Sequence, residues 1–295
     1  MGHVHMLEIS DTKSLAKWLK GRPMEDAYLI ASRATLRALP GLLLLHCKNL
    51  TLQLEETAAR WRAEKLLPCY RAAIIARVAG TWPEYRMMVR DSATTAAARL
   101  ENPLAESSTG FAARAAAMTV DAAGADDAAR RAAKAVGHAD GALTFSTLSA
   151  CHSPPGTEPF KVGLNRGRTI WRACEHEVAL LKGGAQHDQL SLSPLWHDNW
   201  EAPDNWWDVW AELKQHLLEA DEGWDYWISW YEGLIHGRQP DQLLELAIAS
   251  LPDDVWKSGP KTVAVEIAKL TALQMNDPKQ SPDHGPKPDT DASDN

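Results

Sequence analysis

The sequence predicts an all-α fold, a multi-helix assembly with a Trp-rich C-terminal helical core and a disordered C-terminal tail. Apolar residues recur at spacings of three and four along most of the chain, and the N-terminal part shows no sustained strand-like alternation. Tryptophan is concentrated, with eight of the 13 tryptophans between residues 195 and 237. Each buried aromatic contributes on the order of 1.5–3 kcal/mol by area, so this stretch is expected to form a core, an interface or a stacking site.

Composition divides the chain into four parts. Residues 1–92 form a basic helical part, 93–152 alanine-rich helices, 160–273 the Trp-rich helical part and 274–295 the disordered tail. Residues 93–139 include 19 alanines. Alanine has the highest helix propensity and lets helix axes approach closely, which favours packed helices over an exposed helical spacer. From residue 276 onwards the chain has four prolines and no apolar residue larger than alanine, a composition typical of disorder.

Start and stop residues predict the helices of the first two parts. Asp11 or Thr12 caps a helix that ends at Gly21, and Pro23 opens a helix over residues 24–39. Helical periodicity resumes over 42–61 and 68–89, with an interruption near Gly80 and Pro83. Pro103, Gly110 and Gly124 are expected to separate the alanine-rich helices.

The same signals order the Trp-rich part. A helix over 165–181 stops at Gly183–Gly184, and an ordered loop covers 186–203. Two Trp-bearing helices follow, over 204–220 with Asp204 as its cap and over 221–236 with Gly237 after its end. The first buries Trp206, Trp210, Leu213 and Leu217, widened by Trp207, Ala211 and Leu218; the second buries Trp224, Trp227, Tyr231 and Leu234. Pro240 or Asp241 starts another helix, 252–256 form a turn, and Pro260 opens the last helix.

Charge is distributed unevenly. The net charge is −8, yet residues 1–90 hold 14 basic and 8 acidic side chains and the remainder holds 17 and 31. Such asymmetry can indicate a nucleic-acid or membrane surface. The favoured interpretation is that the two parts face each other, or that the charges are spread over solvated faces. Arg33 and Arg37 share a helix face, and pairing with carboxylates or solvation is favoured over an anion site.

The chain is predicted to be cytoplasmic and free of cofactors. The four cysteines are far apart and form no C-x-x-C pair, so they are expected to be buried free thiols. The N-terminus lacks a signal pattern, and no apolar run is long enough to span a bilayer. Neither a phosphate-binding glycine loop nor a nucleophile elbow is present.

One group of residues has ligand types suited to zinc or manganese. Glu175, His176 and Glu177 are followed by His187–Asp188 and His197–Asp198. Adjacent residues point to different helix faces, and no H-E-x-x-H occurs. Solvated polar residues explain the same pattern, so no metal site is predicted.

The candidate binding residues lie on the second Trp helix. Asp225, Ser229, Glu232 and His236 are spaced along one face. Tyr226 and Trp230 lie off its apolar stripe. Carboxylates beside histidine can perform acid–base chemistry, and aromatic walls can bind a sugar or an organic cation. The simpler interpretation is the exposed or hydrogen-bonded side of a packed helix, and no catalytic residue is assigned.

The segment with Trp227, Trp230-Tyr231-Glu232, Gly237, Trp256 and Gly259-Pro260 resembles a C-terminal segment of many uncharacterised bacterial proteins. Those proteins have an alanine-rich helical middle and a W-x-x-W-Y-E helix. The similarity covers residues 195–270 and extends over the middle only by composition. It implies a shared scaffold or adaptor element, with carriage on mobile or defence loci as an expectation, and no catalytic residues to transfer.

These observations predict a non-enzymatic interaction or regulatory protein that binds a protein partner or self-associates. Aromatic residues are enriched at interface hot spots. Substitution of Trp230 or Tyr231 is then expected to weaken association without loss of helix. One alternative is a hydrolase-type enzyme that uses Glu232, Asp225 and His236 or the Glu175–His176 group. Another is nucleic-acid binding through the basic part, which is less favoured because the aromatics lie mostly elsewhere. No membrane partner is expected.

Overall fold

The computed structural model describes residues 9–42, 55–101, 108–150, 169–196, 202 and 206–275. Within these residues every regular element is a helix and no strand occurs. The all-α prediction is therefore confirmed for the described chain. The core is one continuous hydrophobic cluster that includes residues from both halves of the sequence, from Ile9 to Ile267.

In the described part of the chain before residue 151, seven α-helices occur. They are α1 (Thr12–Leu19), α2 (Met24–Ala38), α3 (Glu55–Trp61), α4 (Leu67–Thr81), α5 (Arg86–Arg99), α6 (Ser108–Val120) and α7 (Ala125–Ala150). A π turn, Arg62–Leu66, joins α3 to α4, and a 3-10 turn, Pro83–Tyr85, precedes α5. Asp11 caps α1 as predicted, because its carboxylate accepts a 2.7 Å hydrogen bond from the Ser14 amide.

Seven further α-helices lie among the described residues after residue 168. They are α8 (Thr169–Lys182), α9 (His187–Leu192), α10 (Trp206–Glu219), α11 (Asp225–Ile235), α12 (Gln242–Ala249), α13 (Asp253–Lys257) and α14 (Pro260–Met275). Gly184 and Gly237 adopt φ of +90° and +68°, which ends α8 and α11 where predicted. Asp241 caps α12 by accepting from the Leu244 amide at 2.8 Å.

The centre of the molecule is the pair α2 and α4. Every residue of α4 is buried, and so is every residue of α2 from Asp26 onwards. Both helices are surrounded, because α2 contacts α6, α7, α8 and α9, and α4 contacts α5, α6, α9 and α12. Gly80 permits their close approach, since a Cβ there would lie 2.8 Å from Leu29 Cγ. Of the two positions predicted to interrupt this region, Gly80 lies inside α4, and the helix ends just before Trp82 and Pro83.

The alanine-rich part packs into the core as favoured. Buried alanines line α6 and α7, which pack against each other and against α2. Gly124 lies between α6 and α7, as predicted, whereas Gly110 is a buried residue inside α6, so the predicted break there is wrong. A glycine in a packed helix reflects the space available rather than a chain break. Pro103 lies outside the described residues.

The Trp-rich part corrects three local predictions. Residues 187–192 of the predicted loop form α9, which begins where the Gln186 amide donates to the Gln189 side chain, and 253–257 form α13 instead of a turn. These helices are too short to show periodicity. Only one face of α10 is buried, because the three residues expected to widen it are exposed: Trp207, Ala211 and Leu218.

Several boundaries and predictions fall on residues that the structure does not describe. Helix α14 continues to Met275, two residues into the predicted tail, while residues 276–295 and the predicted cap Asp204 lie outside the described chain. Among the cysteines, Cys69 and Cys174 are free and buried, and Cys47 and Cys151 lie outside. None of the described helices is both long enough and apolar enough to cross a membrane.

Candidate functional site

A buried cluster of charge joins the two halves of the chain. Arg33 and Arg37, one turn apart on α2, both donate to Glu177 Oε1 of α8, and all three side chains are buried. Burial alone would raise the Glu177 pKa, but Arg37 and Arg33 outweigh it and hold that pKa below its usual range. The sequence-based expectation that these arginines pair with carboxylates is confirmed, although the pair is in the core and not on a solvated face.

The same arginines hold the backbone after α9. Arg33 donates to the carbonyls of Leu190, Ser193 and Pro194 at 3.0, 2.9 and 2.7 Å. Arg37 Nε donates to the Leu195 carbonyl at 2.8 Å. Helix α2 therefore fixes the path of residues 190–195 through charge-assisted hydrogen bonds, which are stronger than neutral ones.

Three more arginines from the first half pair with carboxylates from the second. Arg77 meets Glu245 at 3.0 Å, Arg71 meets Asp253 at 2.6 Å, and Arg62 meets Glu222 at 2.7 Å. The guanidinium groups are all buried. The basic and acidic parts thus face each other across the core, as the favoured interpretation of the charge asymmetry states.

The tryptophan cluster is built around Tyr70 of α4. Its ring lies 5.1–6.3 Å from the rings of four aromatic residues on or next to α11: Trp224, Trp227, Trp230 and Tyr231. The Tyr231 hydroxyl donates to the Leu36 carbonyl at 2.6 Å and Trp206 Nε1 donates to the Arg37 carbonyl at 2.9 Å, whereas the buried Tyr70 hydroxyl has no hydrogen-bond partner among the described residues. This aromatic cluster is therefore core. Tyr231 is fully buried, so its substitution would disrupt the core instead of selectively weakening association.

Next to this cluster lies an open groove between α11 and α12, which we call the α11–α12 groove. Its volume is about 250 Å³, and its lining consists of Tyr226, Ser229, Trp230, Gly233, Arg238, Gln239, Pro240, Asp241 and Leu244. Trp230 lies between groove and core, because it lines the groove and its ring is 6.2 Å from that of Tyr70. Its Nε1 donates to buried Glu245 at 2.5 Å. Burial and the nearby Glu245 raise the Tyr226 pKa well above its usual range, so its hydroxyl remains a hydrogen-bond donor.

Local backbone geometry sets the position of the groove wall. Gly237 has φ of +68°, and a Cβ on it would lie 2.6 Å from the Leu192 carbonyl oxygen. Immediately after it, the Arg238 amide donates to the Gly233 carbonyl at 2.8 Å, which closes the end of α11. The arginine-held segment 190–195 therefore supports the turn that brings Arg238 over Gly233.

The structure distributes the six predicted binding residues over two surfaces. Tyr226, Ser229 and Trp230 line the α11–α12 groove together. Glu232 instead pairs with Lys214 of α10 at 2.7 Å, and the His236 ring stacks 6.4 Å from the ring of Trp207. Asp225 is exposed at the start of α11. The predicted polar face is therefore divided, because Ser229 faces the groove whereas Glu232 and His236 face α10.

The groove has polar residues that sequence reasoning missed. Arg238, Gln239 and Asp241 lie in the connection from α11 to α12, and all three are exposed. The signal was present in the sequence, because a helix-ending glycine followed by charged residues and proline predicts a surface turn. What the pattern did not indicate is that this turn returns towards the exposed side of the same helix.

Several residues of the metal and hydrolase hypotheses are engaged elsewhere. Glu177 pairs with the two arginines, and His187 Nε2 lies 2.7 Å from Asp26 Oδ1. Among the described residues, no group of three or more His, Cys, Asp or Glu side chains is arranged to hold a metal ion. His197 and Asp198 lie outside the described chain. Neither Glu232 nor His236 lines the groove.

Comparison of the chain with protein families, with curated proteins and with solved structures finds no match. The geometry of the described residues is therefore the basis for a functional proposal.

Proposed function

We propose that this chain is a non-enzymatic interaction protein and that the α11–α12 groove is its partner-binding site. The observation that carries the proposal is the combination of Tyr226 and Trp230 in the lining with exposed Arg238 and Asp241 at the rim. Tyrosine, tryptophan and arginine are the residues most enriched at interface hot spots.

The size of the groove favours a polypeptide segment as its ligand. Its volume of about 250 Å³ is below the roughly 300–1,000 Å³ typical of sites that enclose small molecules. An extended segment of a partner protein needs room for only a few side chains at a time. The Ser229 hydroxyl and the Gln239 amide offer hydrogen bonds to its backbone, since both groups can donate and accept.

Ser229→Arg tests this proposal, because Ser229 is exposed and its enlargement fills the groove without touching the core. Gln215→Arg, on the exposed side of α10, is the matched control. We expect affinity capture with quantitative proteomics to recover partners with the wild-type chain and with Gln215→Arg, and to lose them with Ser229→Arg. Equal recovery by all three chains, with equal thermal stability, would rule out the groove as the partner site.

A further inference from the structure

The last described helix ends at the rim of the α11–α12 groove. Gln274 Nε2 donates to Asp241 Oδ1 at 3.4 Å, and Asp241 lines the groove. Helix α14 ends one residue later, at Met275, and residues 276–295 continue from that point. The chain therefore enters this segment beside a site for an extended polypeptide.

The composition of residues 276–295 complements the groove. The segment holds four prolines: Pro278, Pro282, Pro286 and Pro288. Proline-rich segments adopt the polyproline II conformation in advance and dock into aromatic-lined grooves at low entropic cost. The segment also holds five aspartates and two lysines. The aspartates complement exposed Arg238, and the lysines complement Asp241.

The segment is long enough to cover the groove. In the polyproline II conformation a residue advances about 3.1 Å, so residues 276–288 reach about 40 Å. Helix α11, which forms one wall, has 11 residues and a length of about 16 Å. Attachment at Met275 gives the segment an effective concentration on the order of 1 mM at the groove.

We propose that residues 276–295 occupy the α11–α12 groove of their own chain and compete there with a partner segment. This inference rests on the proposed binding role of the groove. If the free segment binds with a Kd of about 0.1 mM, an effective concentration of about 1 mM leaves roughly one groove in eleven open. The apparent affinity for an added ligand then falls about tenfold.

The experiment measures binding of a fluorescent peptide of residues 276–295 to full-length chains by anisotropy. In one full-length variant all four prolines are glycine (Pro278→Gly, Pro282→Gly, Pro286→Gly and Pro288→Gly), which removes the restriction that proline places on backbone φ. We expect this variant to bind the peptide about tenfold more tightly than the wild-type chain. Adding Ser229→Arg should abolish that binding, and adding Gln215→Arg should leave it unchanged.

Three results would overturn the inference: equal affinity of wild type and glycine variant, no binding to either, or binding insensitive to Ser229→Arg. Inhibition that grows with the concentration of the wild-type chain would also overturn it, because the segment would then act between two copies. Partner capture that depends on Ser229, together with equal peptide affinities, would refute the role of the segment and leave the partner site in place.

Discussion

At the scale of single residues, the molecule buries charged side chains that the sequence pattern alone would place in solvent. Arg33 and Arg37 lie on α2 at a spacing typical of an exposed face, yet both are buried. Burial lowers the pKa of Arg33 to about 10 although Glu177 opposes that change. The Arg33 guanidinium therefore stays charged near neutral pH. The stability of the fold then depends on the Glu177 carboxylate, which Arg33 and Arg37 share.

Glu177→Gln tests this dependence. The amide keeps the shape but removes the negative charge between two buried guanidinium groups, and breaking a buried ion pair costs about 3–5 kcal/mol. We expect a loss of that order in the free energy of unfolding, measured by chemical denaturation. Glu175→Gln, two positions away and only half-buried, is the control and should change stability by less than about 0.5 kcal/mol. Similar effects of both substitutions would contradict the described role of Glu177.

At the scale of helices, two packing modes coexist around α4. Towards α2, small residues allow backbone to approach side chains closely, as Gly80 does at Leu29. Towards α11, Tyr70 meets large indole rings, and its ring lies 5.1 Å from that of Trp227. The same helix therefore needs glycine on one face and a large aromatic on another.

Gly80→Ala is expected to destabilise the fold because its Cβ would lie 2.8 Å from both the Leu29 side chain and the Leu29 backbone nitrogen. Overpacking of this kind costs about 1–3 kcal/mol. Gly141→Ala is the matched comparison, since the new Cβ would meet only Ser108, at 3.8 Å, and alanine is favoured in helices by roughly 0.5–1 kcal/mol. Thermal unfolding should shift down for the first variant and up for the second. An unchanged melting temperature for Gly80→Ala would show that α2 and α4 are further apart than described.

The contact between α2 and α9 predicts a pH dependence. The hydrogen bond to Asp26 raises the pKa of His187 above 6.5, although burial and Arg22 oppose this, and Glu25 also favours the charged form. The pair therefore stabilises the fold fully below pH 6.5, and this contribution is lost as the pH rises through the folded-state pKa. Burial would raise the Asp26 pKa, but His187 and Arg22 lower it, so the carboxylate stays ionised throughout this window.

Denaturation from pH 5.5 to 8.5 measures this contribution, which should be on the order of 1 kcal/mol, the typical net contribution of a hydrogen bond. His187→Gln should remove that part of the slope. Parallel pH profiles for wild type and His187→Gln would disprove a raised pKa for His187.

At the scale of the whole molecule, buried side chains of the first half of the chain have their partners in the second half. Arg71 and Arg77 lie on α4, and their carboxylates lie on α12 and α13 or at their boundaries. Tyr70 receives its aromatic neighbours from the α11 region. The division of the chain at residues 92, 152 and 160 stays a prediction, and the described parts share one core.

Fragments of residues 1–160 and 161–295 test this mutual dependence. Alone, the first fragment would leave buried guanidinium groups without partners, which is strongly unfavourable. We expect each fragment alone to lack a cooperative thermal transition by circular dichroism, and the two to co-purify when co-expressed. A monomeric first fragment with native helix content and cooperative unfolding would show that this half folds independently.

The comparison of sequence with structure separates local from long-range information. Helices such as α2 and α10 were predictable because their periodicity and start signals are local. The partners of Arg33 and Arg71 are 144 and 182 positions away, and one sequence contains no signal for such a pairing. Trp230 lies off the main apolar stripe of α11 yet is buried, because Tyr70 of α4 and Glu245 of α12 both contact it. Among the groove residues, Tyr226 and Ser229 were predictable from the periodicity of α11. Arg238 was not, because its position depends on the path of the turn that follows the helix.

The long spacing of these pairs has a consequence for synthesis on the ribosome. The chain emerges at about 5–20 residues per second, so Arg71 waits roughly 10–40 s before Asp253 leaves the exit tunnel. Helix α4, although complete early, lacks its contacts with α9, α12 and the aromatic residues of α11 until late in that interval. The nascent first half therefore presents apolar surface and unpaired cations long enough to engage a chaperone, and native packing follows only after most of the chain is translated.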